Sequence, residues 1–290
     1  MTRSDRPLSR KLVRLGFQLL GRDRAHRQDV WPGLKIDKDS GRTRWRGRHL
    51  LTLCRANSFI PAQRPQIAVV GSGPSLGSQK VEAIGDDNAI LCNGAASLAD
   101  RLRPLAVAVE DERFVFRHLS MLGNLPRDVP LLLSPAALRA WAEGDSASLS
   151  GRRVALIDNL LKPLGQPRRK ISDPALRDIV IRSPQSALSL RPDEGVVITG
   201  TVAFSALQFA LAAQPERILL AGIDLSNDQL PRFYEGEERA PSGLTTGLDR
   251  ILAGFALAHQ IADRRDCKLA CASPVSALLP LGIPLDRSLM

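Results

Sequence analysis

Five short polar stretches in this chain follow directly on apolar runs, and each carries side chains able to hold a polar ligand. Residues 66–70 run into Gly71-Ser72-Gly73-Pro74-Ser75, and residues 89–92 into Asn93 and Gly94. Residues 105–109 run into Glu110, Asp111 and Glu112, and residues 196–198 into Thr199, Gly200 and Thr201. Residues 217–221 lead to Gly222 and Asp224, with Arg232 and Tyr234, the only tyrosine, close behind. Gly71 and Gly73 let backbone pass close to a ligand, Ser72 and Ser75 add hydroxyls, and Pro74 stiffens the turn. Thr199-Gly200-Thr201 offers hydroxyl and N–H groups ahead of an Ala-rich segment, an arrangement suited to a carboxylate or phosphate and equally to an ordinary helix cap. If the apolar runs are neighbouring strands, amide, hydroxyl, carboxylate and guanidinium groups converge on one crevice, as a nucleotide-type ligand requires. The spacing of residues 71–75 is neither the dinucleotide fingerprint nor a Walker loop, which argues against NAD.

These residues meet only if the elements beneath them form a parallel sheet. Buried strands are expected at QIAVVG (66–71), NAILCNG (88–94), PLAVAVED (104–111), VPLLLSP (129–135), RRVALID (152–158), GVVIT (195–199), ERILLAGID (216–224) and CKLACASP (267–274). SLGSQKVEAIG (75–85) is read as a short helix or turn, AASLADRL (95–102) as a helix, and further helices are expected at 135–143, 201–213 and 245–264. Buried strands alternating with helices predict an α/β, Rossmann-like open parallel sheet with helices on both faces. The expected organisation is a basic N-terminal helical extension, 1–64, and one main domain, 65–290, in which the irregular, Pro-rich segment 158–195 is an insertion or lid near the site.

Hydrophobic residues make up 44% of the chain and aromatics only 4%, so the core is mostly Leu, Ala, Val and Ile. Four cysteines without a CxxC pair or a companion histidine cluster read as reduced thiols of a cytoplasmic protein, not as a zinc site. No apolar run reaches the ~18 residues of a membrane span, and no signal peptide is visible. Residues 1–64 hold 16 Lys/Arg against 5 Asp/Glu, a net +11, while the remainder is −1. Within that segment residues 7–22 place Leu8, Leu12, Leu15 and Leu19 at helical spacing, with Arg10, Lys11, Arg14 and Gln18 on other faces. Adsorption to an anionic membrane surface fits this pattern. So does packing on the body or a partner subunit with the arginines toward water. No nucleic-acid-binding motif accompanies the basic run Arg42–Arg48, and nucleic acid is not expected as a partner.

The succession VVGSGPSL, then LCNG, resembles the opening of the bacterial sialyltransferase family that uses CMP-sialic acid. ITGTVAFSALQFALAAQPERILLAGIDL and the closing CASPVSALL resemble later parts of the same family. A second resemblance fits better. TVAFSALQFALA, ERILLAGIDL and PRFYEGEERAPSGL resemble the lipopolysaccharide core-biosynthesis proteins assigned as transferases of an additional Kdo residue, over roughly residues 66–285. RFYE followed by PS-L is the most specific point. Residues 1–60 lie outside both resemblances.

Both families imply a CMP-activated 2-keto sugar acid as donor substrate, no cofactor, and a lipopolysaccharide core acceptor for the second. By resemblance Gly71, Ser72, Gly73 and Ser75 line the CMP, with Ser72 standing where the sialyltransferases have Asn. Asn93 matches a donor-contacting Asn, and Gly94 stands where those enzymes have Gln. Asp224 is assigned to ribose or cytosine, and Tyr234, helped by Arg232, to the departing phosphate. The sialyltransferases take their base from a histidine that residues 225–250 lack. Asp111 is the first expectation for it and Glu110 the second, with an ion pair of Asp111 to Arg113 or Arg117 as the structural alternative. No metal is expected: the acidic run Glu110–Glu112 alone is poor evidence for one. The function expected is Kdo transfer from CMP-Kdo at the cytoplasmic face of the inner membrane. The alternatives are a CMP-sialic acid sialyltransferase or a nucleotide-binding or pyrophosphokinase-like protein without transfer activity.

Overall fold

The structure is a computed structural model and describes residues 6–19, 21, 23–226, 232–234 and 247–290. Helix α1 (Leu8–Leu19) leads into a three-stranded antiparallel sheet of β1 (Leu34–Ile36), β2 (Arg42–Trp45) and β3 (Arg48–Thr52). Arg46 and Gly47, both at positive φ, turn β2 into β3 as a two-residue hairpin loop. This small sheet went unread in the sequence. It is not a free appendage: Leu34, Leu50 and Leu51 are buried against one face of the main core.

The main sheet contains β4 (Gln66–Val70), β5 (Ala89–Cys92), β6 (Ala106–Val109), β7 (Leu131–Leu133) and β8 (Val154–Leu156). Between them run the short helices α2 (Glu112–Arg117) and α3 (Leu119–Gly123) and the longer α4 (Pro135–Asp145). A β-hairpin, β9 (Val180–Arg182) with β10 (Ala187–Ser189), occupies the Pro-rich segment and has a small core of Leu160, Leu176, Val180, Ala187 and Val197. Helix α5 (Val202–Ala212), β11 (Arg217–Ala221), α6 (Leu248–Asp263) and β12 (Lys268–Cys271) complete the chain. The seven strands are all parallel in the order β12-β11-β4-β5-β6-β7-β8. The α/β doubly covered sheet expected from the sequence is therefore the fold.

Strands β5 and β6 are buried along their whole length, because helices close both faces of the sheet. On one face α5 and α6 supply Phe204, Leu207, Phe255 and Ile261, and on the other α4 supplies Leu138 and Trp141. The expected strand at 195–199 is not one. Its only ladder contact is a single bridge from Val196 to Asn159. The Gln208 side chain takes the partner's place, its Oε1 accepting from Val197 N (3.0 Å) and its Nε2 donating to Val197 O (2.9 Å). The segments 74–78, 81–84 and 93–100 wind as 3-10 helix, where the tighter turn suits short connections. Among the described residues no helix is long and apolar enough to cross a membrane.

Candidate functional site

The chain order reverses between β4 and β11: β5 to β8 lie on one side of β4, and β11 and β12 on the other. Ligands of open α/β sheets bind beyond the carboxyl ends of the strands at such a point, and the polar stretches singled out in the sequence stand there. The turn after β4 is stitched to the end of β11, with Gly71 N donating to Ala221 O (2.8 Å) and Gly73 N to Gly222 O (2.7 Å). A Cβ on Gly71 would lie 2.5 Å from Gly222 O, and one on Gly73 2.5 Å from Asp224 Oδ2. These glycines admit the neighbouring chain end, a demand of the fold that exists before any ligand arrives.

Asp224, expected at the ribose or cytosine, is engaged by the protein itself. It is buried, and its carboxylate accepts from Ser75 N (2.9 Å), Ser75 Oγ (2.5 Å) and Ser273 Oγ (2.6 Å). It thereby ties together the ends of β4, β11 and β12 and positions the turn. Ser75 is spent in the same bond. Ser72, half-buried, keeps the turn's uncommitted hydroxyl.

At the end of β5, Asn93 adopts φ +49° and holds Oδ1 buried without a partner. Tyr234 packs on Gly94 so closely that any Cβ there would overlap its ring. Arg232 Nη1 donates to the Tyr234 hydroxyl (3.1 Å), and Phe233 approaches Gly77 in the turn after β4. Residues 232–234 thus lie across the ends of β4 and β5. The rest of the motif, Glu235 to Leu244, lies outside the described residues. Tyr234 also meets His118 edge-on, ring centroids 5.6 Å apart. His118 is not among the residues that the sequence singles out for the site. The signal was there: Asp111 opening a helical turn at 112–117 carries His118 back over the same crevice.

The three consecutive carboxylates have three fates. Asp111, the first expectation for the base, caps α2: Oδ1 accepts from Arg113 N (2.9 Å) and Oδ2 pairs with the Arg113 guanidinium (2.8 Å). Glu112 turns away to the other face, where Arg6, Arg10 and Arg139 surround it. Glu110 remains at the carboxyl end of β6, with Oε1 buried and unpartnered and its carbonyl held by Ser134 Oγ (2.6 Å). Burial, with a smaller push from Asp111, raises its carboxyl to about 7. The Ser205 hydroxyl beside the carboxylate moderates the rise. Burial and then the Glu110 charge push the neighbouring Cys92 thiol well up, so Cys92 stays protonated.

Helix α5 starts at this edge. Thr201 is its N-cap residue and makes no side-chain cap bond, Gly200 takes φ +119°, and Thr199 is buried with Oγ1 unpartnered while its carbonyl accepts from Arg250 Nε (2.6 Å). Among the described residues five buried side-chain oxygens lack a hydrogen-bond partner, and four of them are Asn93 Oδ1, Glu110 Oε1, Thr199 Oγ1 and Ser205 Oγ. Buried polar atoms are paired as a rule. Asn93 and Glu110 stand at the ends of two adjacent strands and Thr199 and Ser205 at the positive end of α5, an arrangement able to accept polar groups. No three His, Cys, Asp or Glu side chains among the described residues converge as ligands of a cation.

No family model matches the chain, and no curated protein matches it. Among solved structures it is similar to the sialyltransferase CstII from Campylobacter jejuni, solved in complex with the substrate analogue CMP-3FNeuAc. The identity is 14% and the TM-score 0.42, over 76% of this chain and 86% of that one.

Proposed function

We propose that this chain is a glycosyltransferase that moves Kdo from CMP-Kdo to a lipopolysaccharide inner-core acceptor. The observation that carries the reading is the group of four unpartnered buried oxygens at the switch-point edge, beside a tyrosine–arginine pair. In this reading Asn93 and Ser72 hold the CMP. The start of α5, with Thr199, Gly200 and Thr201, holds an anionic group of the donor. The acceptor hydroxyl oxygen forms a bond to the anomeric carbon as that carbon's bond to the CMP phosphate oxygen breaks. The hydroxyl proton passes to Glu110, which at neutral pH is partly ionised and able to take it. Tyr234 and Arg232 stabilise the charge developing on the departing phosphate. The role first expected of Asp111 passes to Glu110, because the Asp111 carboxylate is already engaged by Arg113.

Kdo is favoured over sialic acid at one point. The sialyltransferase pattern calls for a Gln side chain at position 94, and here the Tyr234 ring fills that space. The test is calorimetric titration with CMP, UMP and GMP, followed by transfer assays with CMP-Kdo and CMP-sialic acid on a truncated core acceptor. Selective CMP binding that weakens on the order of tenfold in Asn93→Gly, a change that keeps the positive φ at no cost, supports the transferase. Equal binding of all three nucleotides, or none, overturns it. Transfer from CMP-sialic acid alone moves the assignment to the sialyltransferase alternative.

A further inference from the structure

Helix α1 turns its leucines to the outside and a buried arginine to the inside, next to half-buried Val13 and Phe17. Arg10 is 1% exposed. Its guanidinium donates to Trp31 O (2.5 Å), Gln28 O (3.1 Å), Gln28 Oε1 (2.6 Å) and Glu112 Oε2 (3.1 Å). Arg6 and Arg14 also turn toward Glu112, and Arg139 from α4 closes the cluster at 2.6 Å. The leucines face the other way: Leu8 is 76% exposed, Leu12 71%, Leu15 56% and Leu19 82%. At about 100° per residue these four fall within about 60° of arc, directly opposite Arg10. Trp31, 49% exposed, stands beside the helix with its ring centroid 6.0 Å from that of Phe17. Five of the seven exposed large hydrophobic side chains among the described residues thus lie between positions 8 and 31.

We propose that this leucine stripe is a docking surface for an anionic lipid bilayer, with α1 lying in the interface and the buried arginine cluster fastening it to the catalytic body. Four leucines with an adjacent tryptophan form the apolar face of an interfacial helix. The charge of the same segment selects the occupant. Residues 1–64 carry a net +11, and Lys11, Arg24, Arg42, Arg44, Arg46 and Arg48 are exposed. A second copy of this chain on the stripe would set two such segments against each other, whereas anionic headgroups complement them. The arrangement also accounts for burying arginines on the inner face: a rigidly clamped helix presents its leucines without first having to fold on the membrane. The inference stands apart from the donor reading and fails separately from it.

The test is co-sedimentation of the full chain with phosphatidylcholine vesicles, with and without phosphatidylglycerol, using wild type and Leu12→Gln/Leu15→Gln. Both positions are exposed and Gln keeps helix propensity, so the thermal midpoint should not move. Binding to the phosphatidylglycerol vesicles that falls with added salt, and by on the order of tenfold or more in the double variant, is the expected result. Absence of binding, equal binding to neutral vesicles, or binding indifferent to the two substitutions overturns the proposal. A dimer in sedimentation velocity that the double variant dissociates also overturns it and assigns the stripe to self-association.

Discussion

Glu110→Gln separates a tuned base from a structural carboxyl without any knowledge of the acceptor. Burial first, and the Asp111 charge second, raise Glu110 from 4.5 to about 7 in the folded chain. Below the lower value both folded and unfolded chains carry the proton and the site costs nothing. Between the two values only the unfolded chain ionises, so stability falls as pH rises. Above the upper value the full cost stands. At about 1.4 kcal/mol per pH unit between the two values, that cost is about 3–4 kcal/mol. Gln carries no charge, so E110Q should be more stable than wild type by up to that amount at about pH 8, and equal to it at about pH 4. Urea midpoints across this range read the difference directly. The thermal midpoint at the alkaline end should rise by roughly 5–10 °C. In the transferase assay the same variant should lose on the order of 10²–10⁴ in rate, while wild-type kcat/KM climbs through a single inflection near the raised value. If E110Q gains no stability at alkaline pH, the carboxyl is solvated and the assignment of Glu110 as the base is wrong, whatever the assay reports.

Three further predictions concern the supports of the site. Glu112→Gln leaves Arg10 and Arg139 buried without their counter-charge and should cost about 3–5 kcal/mol of stability in urea titration. In wild type, burial works to raise the Glu112 carboxyl, but Arg6, Arg10 and Arg139 outweigh it and hold it below its ordinary value. Its contribution is therefore complete above the ordinary carboxylate range and lost as pH falls through the depressed value, so protease cleavage after α1 should accelerate only in acid. Gly94→Ala pushes the Tyr234 ring off its seat and should lower transfer on the order of 100-fold, with little change in the urea midpoint. Asp224→Asn removes charged acceptance from Ser75 and Ser273 and should cost about 3 kcal/mol in the same titration, with CMP affinity falling as the turn loosens.

Much of the framework was legible because apolar runs and breakers are local signals. The strands at 66–70, 89–92, 106–109 and 217–221 follow from buried Val, Ile, Leu and Ala bounded by polar turns, and α4, α5 and α6 from their apolar spacing. The 195–199 segment misled, because a run of β-branched residues looks alike whether its backbone pairs with a strand or with a side chain. Only the fold supplied Gln208 as the partner. The hairpin of β1 to β3 escaped because its strands are mostly arginine on the outer side, with Leu50 and Leu51 the main inward signal.

What the sequence determined by itself is the list of polar residues at strand ends and the concentration of positive charge in the first 64 positions, since both are properties of order along the chain. Which member of a run does what was decided only by the tertiary structure. Glu110, Asp111 and Glu112 are adjacent in sequence and chemically near-equivalent. The end of β6 and the start of α2 send one into a desolvated position beside Ser205, one onto its own helix as a cap, and one among arginines from α1 and α4. The same arginines turn the leucines of α1 outward. A helical spacing of leucines and arginines says that two faces exist. Which of them meets the protein depends on a buried carboxylate about a hundred residues away.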